Sequence, residues 1–334
     1  MRPKRQTRIG RRRRRMRTVL SNTSEGMTRL KRKDSFHPYA MTTILFWSLA
    51  YVLTRRVLRD YSALSLGFLR YFFASLSMLV WVLSTGMKRP RRADVKWFLL
   101  AGAVGFFFYM IAFNKGCETV TAATGSVIIA VVPVLTALMA RLVFGERLLM
   151  RQWAAIAIEF SGVLILTMMD GAFSVNRGLL WLILAALALS VYNLLQRRLT
   201  RTYGGLEVSA FSIFAGTAML SAFLPKSVGE MRAAPPVDLL YIAILGIFSS
   251  AVAYAAWAQA FRKADKASSV SNYMFVTPFL TSLMGYVFLG ERLDAPTILG
   301  GAVILTGVLL FNFGGRRAAR DVRQTEIGGG EGTR

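Results

Sequence analysis

Ten apolar stretches, each about as long as a bilayer crossing, set the limits on what this chain can fold into. They cover roughly 39–58, 62–84, 95–117, 121–145, 150–169, 177–198, 206–225, 236–260, 267–289 and 295–314. A bilayer core ~30 Å thick is spanned by about 20 helical residues. Lipid offers no partner to backbone N–H and C=O groups, so each stretch must satisfy its own and becomes a helix. None alternates in the manner of a membrane barrel strand. The 334 residues are 54% hydrophobic and only 18% charged, where a soluble domain carries about 25% charge. The expected fold class is therefore an all-α membrane protein with ten transmembrane helices.

The formal charge of +25 does not mark a nucleic-acid binder. Residues 1–38 carry +12 of it and residues 316–334 another +2, and the rest is scattered among short connections. No stretch could build the basic face on a soluble fold that nucleic acid requires. The Arg11–Arg15 run sits in a composition typical of disorder. Residues 1–38 and 315–334 thus read as disordered cytoplasmic tails, the first able to touch anionic lipid. Counting Lys and Arg near the helix ends gives 21 on the side of the N-terminus and eight on the other. The positive-inside rule then places both termini in the cytoplasm, with Arg55, Arg56 and Arg59 opposing. The expected location is the cell inner membrane, multi-pass, with the lipid bilayer as the first partner.

The side-chain inventory removes most chemistry. Cys117 is the sole cysteine and His37 the sole histidine, so a histidine metal site, a Ser-His-Asp triad and a Cys-His dyad are all excluded from the apolar body. No phosphate-cradling G-x-x-x-x-G-K-[ST] loop occurs. The chain is expected to be no enzyme and to use no cofactor and no metal.

An internal repeat is the strongest signal. At an offset of 145, residues 126–166 fall on 271–311 with 15 of 41 positions identical. Pro133 meets Pro278, Gly145-Glu146-Arg147-Leu148 meets Gly290-Glu291-Arg292-Leu293, Gly162-Val163-Leu164 meets Gly307-Val308-Leu309, and Tyr109 meets Tyr254. At 142, Arg55-Arg56 and Arg59 meet Arg197-Arg198 and Arg201. The repeats span 39–169 and 177–314. Each holds five stretches, and an odd number makes the second enter from the opposite face. Inverted repeats of this kind build secondary transporters, whose substrate sits near the midplane between the halves.

The two P-x-L-T-x-L-M…G-E-R-L blocks, each followed by an apolar stretch ending in G-V-L, resemble the paired EamA repeats of the drug/metabolite transporter superfamily. Phe46-Trp47-Ser48, Leu69-Arg70-Tyr71 and Val191-Tyr192…Gln196-Arg197-Arg198 add to the likeness, which covers about residues 39–314. The resemblance implies ten helices, cytoplasmic termini and transport of small metabolites, often amino-acid export.

Polar and aromatic residues inside the stretches outline a candidate cavity. Tyr51, Tyr109, Asn114 and Ser126 fall in the outer half; Tyr192, Asn193, Tyr254, Gln259, Asn272 and Tyr273 fall in the inner half. Tyr109/Tyr254 and Asn114/Gln259 are repeat equivalents, so two polar gating layers are expected, with Trp47 and Trp257 adding ring surface. Each aromatic alone could equally serve packing. Pro133 and Pro278 are either static kinks or hinges. Glu146 and Glu291 read as caps at the membrane surface. Ala101/Gly105 and Gly246/Ser250 read as close-packing positions only. Charge inside lipid is costly, so Arg70, Arg141 and Glu159 need partners or a water path. A buried Arg141–Glu159 pair is the leading expectation, and proton coupling through Glu159 the other.

The function expected is secondary active transport of a small molecule by alternating access, exporting amino acids or related amphipathic compounds, with a proton as candidate coupling ion. The alternatives are an organic-phosphate or nucleotide-sugar exchanger, which would need paired cations in the cavity, and a membrane receptor or scaffold that transports nothing. Monomer and homodimer both remain open.

Overall fold

The computed structural model describes residues 35–87, 89–120, 122–168, 177–289, 295 and 298–311. The expected disorder of residues 1–34 and 315–334 lies outside them, as do Glu291 and its turn. The described residues contain helices and connections and no strand. In chain order the helical segments are α1 (His37–Val57), α2 (Ala63–Thr85), α3 (Arg92–Thr119), α4 (Ala122–Ile129 with Val132–Phe144) and α5 (Met150–Met168). They continue as α6 (Arg177–Leu199), α7 (Gly205–Ala233), α8 (Pro236–Lys263), α9 (Ala267–Ser271, Asn272–Val276 and Thr277–Leu289) and α10 (Ile298–Phe311).

Six are long and apolar enough to cross a membrane by length and composition: α2, α3, α6, α7, α8 and the stretch Gly125–Phe144 of α4. The other four expected crossings fall short for physical reasons. Thr42, Thr43, Ser48, Arg55 and Arg56 dilute α1, and Arg151, Gln152 and Glu159 dilute α5. A 3₁₀ turn divides α9, and α10 is described over too short a length. α7 also runs eight residues past its expected end at 225. Ser221–Phe223 tightens to 3₁₀ and the helix resumes at Leu224 with Pro225 in its first turn, where the missing N–H costs nothing.

Local chemistry sets the ends. The Ser62 hydroxyl accepts from Ser65 N (3.4 Å) and caps α2. Gly145, at φ 66°, ends α4 in the left-handed region that a Cβ disfavours. Glu207 Oε2 accepts from Gly204 N (2.7 Å) at the start of α7. Glu146 accepts from Ala267 N (2.9 Å), Ser268 N (3.4 Å) and the Ser268 hydroxyl (3.2 Å), and so caps α9.

Helix packing follows an exchange pattern. The last part of α3, Tyr109–Thr119, lies on α6, and the last part of α8, Ala253–Lys263, lies on α1. α7 packs on α3 and α8 packs on α2; α4 packs on α6 and α9 on α1. α2 and α7 meet each other, and there Ser75 and Thr217, equivalents at the offset of 142, hydrogen-bond through their hydroxyls at 2.7 Å. α3 and α8 each contain a π-helical turn, Ala103–Phe108 and Ile247–Val252, at matching repeat positions.

The contacts also sort helix ends. At one end of the bundle Arg56 pairs with Asp60 (2.8 Å) and Asp238 (3.4 Å), Lys115 with Glu118 (3.0 Å) and Lys226 with Glu230 (3.7 Å). Ala63 N and Ser62 N bond Glu118 and Glu230, which joins the ends of α1, α3 and α7 to the starts of α2 and α8. The bond from Arg56 holds the Asp60 carboxyl below the usual carboxylate range. At the other end the cations meet carbonyls and rings instead. Arg197 donates to the Phe261, Ala264 and Asp265 carbonyls, Lys266 donates to Arg147 O (2.8 Å), and Arg198 lies 4.0 Å over the Trp97 ring. That end joins the ends of α4, α6 and α8 to the starts of α3 and α9. Between the ends, large apolar side chains face outward, among them Leu83, Leu142, Leu180 and Phe288, as a lipid-facing belt would.

Candidate functional site

A cavity opens where α1, α2, α3, α8 and α9 converge. Trp47, Tyr51, Arg70, Tyr109 and Tyr254 line it, with Met274 and Thr277 contributed by α9. Its volume is about 10 Å³, room for about one water molecule. Aromatic rings in mutual contact, mostly tilted or edge-on, surround it. The Trp47 ring lies 5.1 Å from Tyr254 and 5.0 Å from Trp257, and Phe113 lies 5.2 Å from Tyr51 and 5.6 Å from Tyr109.

Arg70 is the cation of this cavity. It is 3% exposed. Its Nε donates to the Ser250 hydroxyl (2.8 Å) and its Nη2 to Ser249 O (3.4 Å). It forms no ion pair among the described residues. Both of its acceptors belong to the π turn of α8. A π turn loosens the usual i→i−4 ladder, and here a main-chain carbonyl and a side-chain hydroxyl inside a helix are turned to a neighbour. The Ser249 hydroxyl in turn donates to Phe46 O (2.9 Å), tying the same turn to α1. A guanidinium held by neutral acceptors keeps its charge unneutralised, and its planar fork suits a carboxylate or phosphate oxygen pair.

The other candidate residues fall in several different places. Trp47, Tyr51, Tyr109 and Tyr254 line the cavity. Tyr192, Asn193 and Trp257 form a buried polar chain behind it. Trp257 Nε1 donates to Asn193 Oδ1 (2.9 Å), Asn193 Nδ2 donates to the Thr136 hydroxyl (3.2 Å), and Gln196 Nε2 donates to Tyr192 Oη. Ser126 is buried on α4. The expectation of Asn114 and Gln259 as gating layers gives way to a different role. Asn114 Nδ2 donates to Ala63 O (2.9 Å) at the start of α2, and Gln259 packs against Gly205 at the start of α7, where a Cβ would come within 2.8 Å of its Oε1. Asn114 ties down the start of α2 and Gln259 packs on the start of α7, and neither lines the cavity. Tyr273 bonds His37 and Asn272 bonds Glu159 Oε1 (2.9 Å); neither lines the cavity.

The Arg141–Glu159 pair is not formed. Arg141 is exposed on the outer side of α4, while Glu159 is fully buried and takes its hydrogen bond from Asn272. Arg141 has water within reach and no reason to enter the bundle. Pro133 and Pro278 each occupy the second residue of a helical piece, Val132–Phe144 and Thr277–Leu289, just after a break in the α-helix. Ser249 is absent from the sequence reading and Ser250 stands in it as a close-packing position only, whereas both accept hydrogen bonds from Arg70. A signal for them exists: the equivalent of Ser250 is Gly105, so one repeat carries a hydroxyl where the other needs none.

Together these features define a multi-pass helical membrane protein with a small aromatic cavity holding one buried cation. The EamA-like transporter family model matches residues 36–168 and again 176–313, and the chain belongs to that family. Relatives agree. A protein of Streptantibioticus cattleyicolor named "Probable terminal-alkyne amino-acid exporter" is 31% identical over 83% of this chain and 94% of its own length. The Bacillus subtilis protein named "Uncharacterized transporter YdfC" is 30% identical over 78% of this chain and 86% of its own. A solved crystal structure of 20% identity superposes with a TM-score of 0.67 over 84% of this chain and 97% of that one, which shows a shared fold. The chain is a membrane transporter of small molecules; its family and relatives are transporters and not enzymes.

Proposed function

We propose that this chain exports amino acids or related amphipathic carboxylates across the cell inner membrane, by alternating access between two inverted five-helix repeats. The observation that carries the substrate class is Arg70, a buried guanidinium without an acidic partner, facing a cavity walled by tyrosine and tryptophan. Such a group recognises a carboxylate, and rings take the apolar remainder. The relative named "Probable terminal-alkyne amino-acid exporter" carries in its name a compound with this composition of charge and apolar tail.

The inverted arrangement is supported by the helix ends. α1 and α3 finish at the ion-paired end, whereas their equivalents α6 and α8 finish at the other. The exchange pattern of packing and the Ser75–Thr217 bond accord with a pseudo-twofold axis between the halves. Cytoplasmic termini fit the end where α1 begins, at which Arg197 and Lys266 meet carbonyls and Arg198 a ring. A proton is the candidate coupling ion. An organic-phosphate exchanger is less well supported, because a phosphate dianion calls for paired cations and Arg141 lies outside the cavity.

The test is reconstitution in liposomes with labelled amino acids in counterflow. Aliphatic and aromatic amino acids should exchange, and their decarboxylated amines should fail to compete. Competition by the amines as strong as by the acids rejects the role of Arg70, and exchange of phosphorylated metabolites alone selects the other reading.

A further inference from the structure

α5 and α10 cross on a matched pair of glycines. A Cβ on Gly162 would come within 2.8 Å of Ile304 Cγ1 and of Gly300 O; a Cβ on Gly307 would come within 2.3 Å of Glu159 Cγ and 3.0 Å of Ala155 O. All of these correspond at the offset of 145: 155 with 300, 159 with 304 and 162 with 307. The crossing is therefore symmetric in position, with an alanine facing one glycine and a glycine the other, and its one difference in polarity is an isoleucine on one side where the other has a glutamate. Packing at this place is served by an apolar side chain, so packing does not account for the acid, and burying one in a membrane protein is costly.

The surroundings of Glu159 specify what it needs. Its Oε1 accepts from Asn272 Nδ2 at 2.9 Å. Its Oε2 and the Asn272 Oδ1 are both buried and both without a hydrogen-bond partner. With the carboxyl ionised, both orphans are acceptors and no donor exists between them. One added proton turns the carboxyl into a donor and supplies what the pair lacks. Among the described residues of the elements packed on α5, no charged group competes. Ala122–Ile129 and Ile298–Phe311, packed on α5, contain none. Asn272–Val276 contributes only the Tyr273 phenol, bonded to His37, and Thr277–Leu289 only the exposed Tyr286. On α5 itself Arg151 lies two turns away.

Building on the export reading above, we propose that Glu159 and Asn272 form the proton-binding site of the transporter, holding a proton in this arrangement and losing it in another. The link to the cavity is short. Asn272 begins the 3₁₀ turn Asn272–Val276, which contains the cavity residue Met274 and leads directly into Thr277, which lines the cavity and whose carbonyl accepts from Ser48 (3.4 Å). Loss of the proton leaves a bare carboxylate in apolar surroundings and favours an arrangement that wets it, which moves the turn and with it one wall of the cavity. The proton enters from water on one side and leaves to water on the other; only an O–H bond is made and broken.

Infrared spectroscopy of the full-length protein in lipid vesicles at neutral pH tests the site directly. A protonated-carboxyl carbonyl band, shifted in D₂O and missing from Glu159→Gln, is expected; its absence from the unaltered protein overturns the proposal. The glutamine keeps an acceptor for Asn272 Nδ2 and carries an N–H donor where the protonated acid carries its O–H, so this variant should fold with the melting temperature of the unaltered protein. A gradient of one pH unit, coupled to one proton, supports about tenfold accumulation, which Glu159→Gln should abolish. Retained gradient-driven accumulation in that variant overturns the proposal. Failure of the unaltered protein to exchange any amino acid sinks the export reading instead, and the infrared band still decides the proton site.

Discussion

Arg70 shows how a single residue depends on its second layer. Its charge would be prohibitive among apolar neighbours, and the Ser250 hydroxyl and Ser249 carbonyl make it tolerable without cancelling it. Replacing it by glutamine should weaken carboxylate substrates on the order of ten- to a hundredfold, since a hydrogen bond to a charged group contributes roughly 1.5–3 kcal/mol. Ser250→Ala should weaken the same substrates less while also lowering the melting temperature. Competition assays in liposomes measure both, and equal affinity in Arg70→Gln would remove Arg70 from the binding site. Much of this is legible in the sequence, where an arginine in an apolar stretch announces a site. Asn114 and Gln259 mislead by the same logic. Asn114 spends its amide N–H on the start of α2 and Gln259 packs against the start of α7, and which face of a helix meets the cavity is a tertiary fact that no local pattern encodes. The Arg141–Glu159 pair fails for a related reason: helix rotation decides whether an arginine near a helix end turns inward or outward, and periodicity in an all-apolar helix leaves rotation undefined.

At the scale of elements, the interruptions carry the meaning. α4 and α9 break just before Pro133 and Pro278, and α3 and α8 widen into π turns just before Tyr109 and Tyr254. The prolines are visible in the sequence because the residue type itself forbids the i→i−4 bond. The π turns are not, because no residue type demands one; they arise where Gly102 sits against Ala215 and Gly246 against Phe73, with gaps of 2.6 Å to a would-be Cβ. If the prolines are hinges, Pro133→Ala restores the amide that can bond Ile129 and closes the break. Turnover in counterflow should then fall several-fold, with thermal stability equal or higher, and the double replacement with Pro278→Ala should be slower still. Unchanged turnover in both single variants assigns the prolines to static packing.

For the whole molecule, the distribution of charge partners tells the two faces apart. The four ion pairs among the described residues gather at one end, so Arg56, a residue that counted against the orientation rule, is offset by Asp60 and Asp238. Raw counting of arginines misses this, since Asp238 is 182 positions away in the chain. Cysteines placed at Asp60 and Thr202, equivalent exposed positions at the offset of 142, in a Cys117→Ser background, should react with an impermeant maleimide from opposite sides, the first from outside. Labelling of both from one side would dismantle the inverted arrangement. The bond between Ser75 and Thr217 has a kinetic corollary. Two related halves that trade shapes reverse every contact between unlike positions, yet a link from a residue to its own counterpart is carried into itself. If the halves trade shapes as proposed, such a link persists through the swap as a stationary pivot, so the periphery of the bundle sets the barrier to switching, and the seam between α2 and α7 can stay shut while substrate passes beside it.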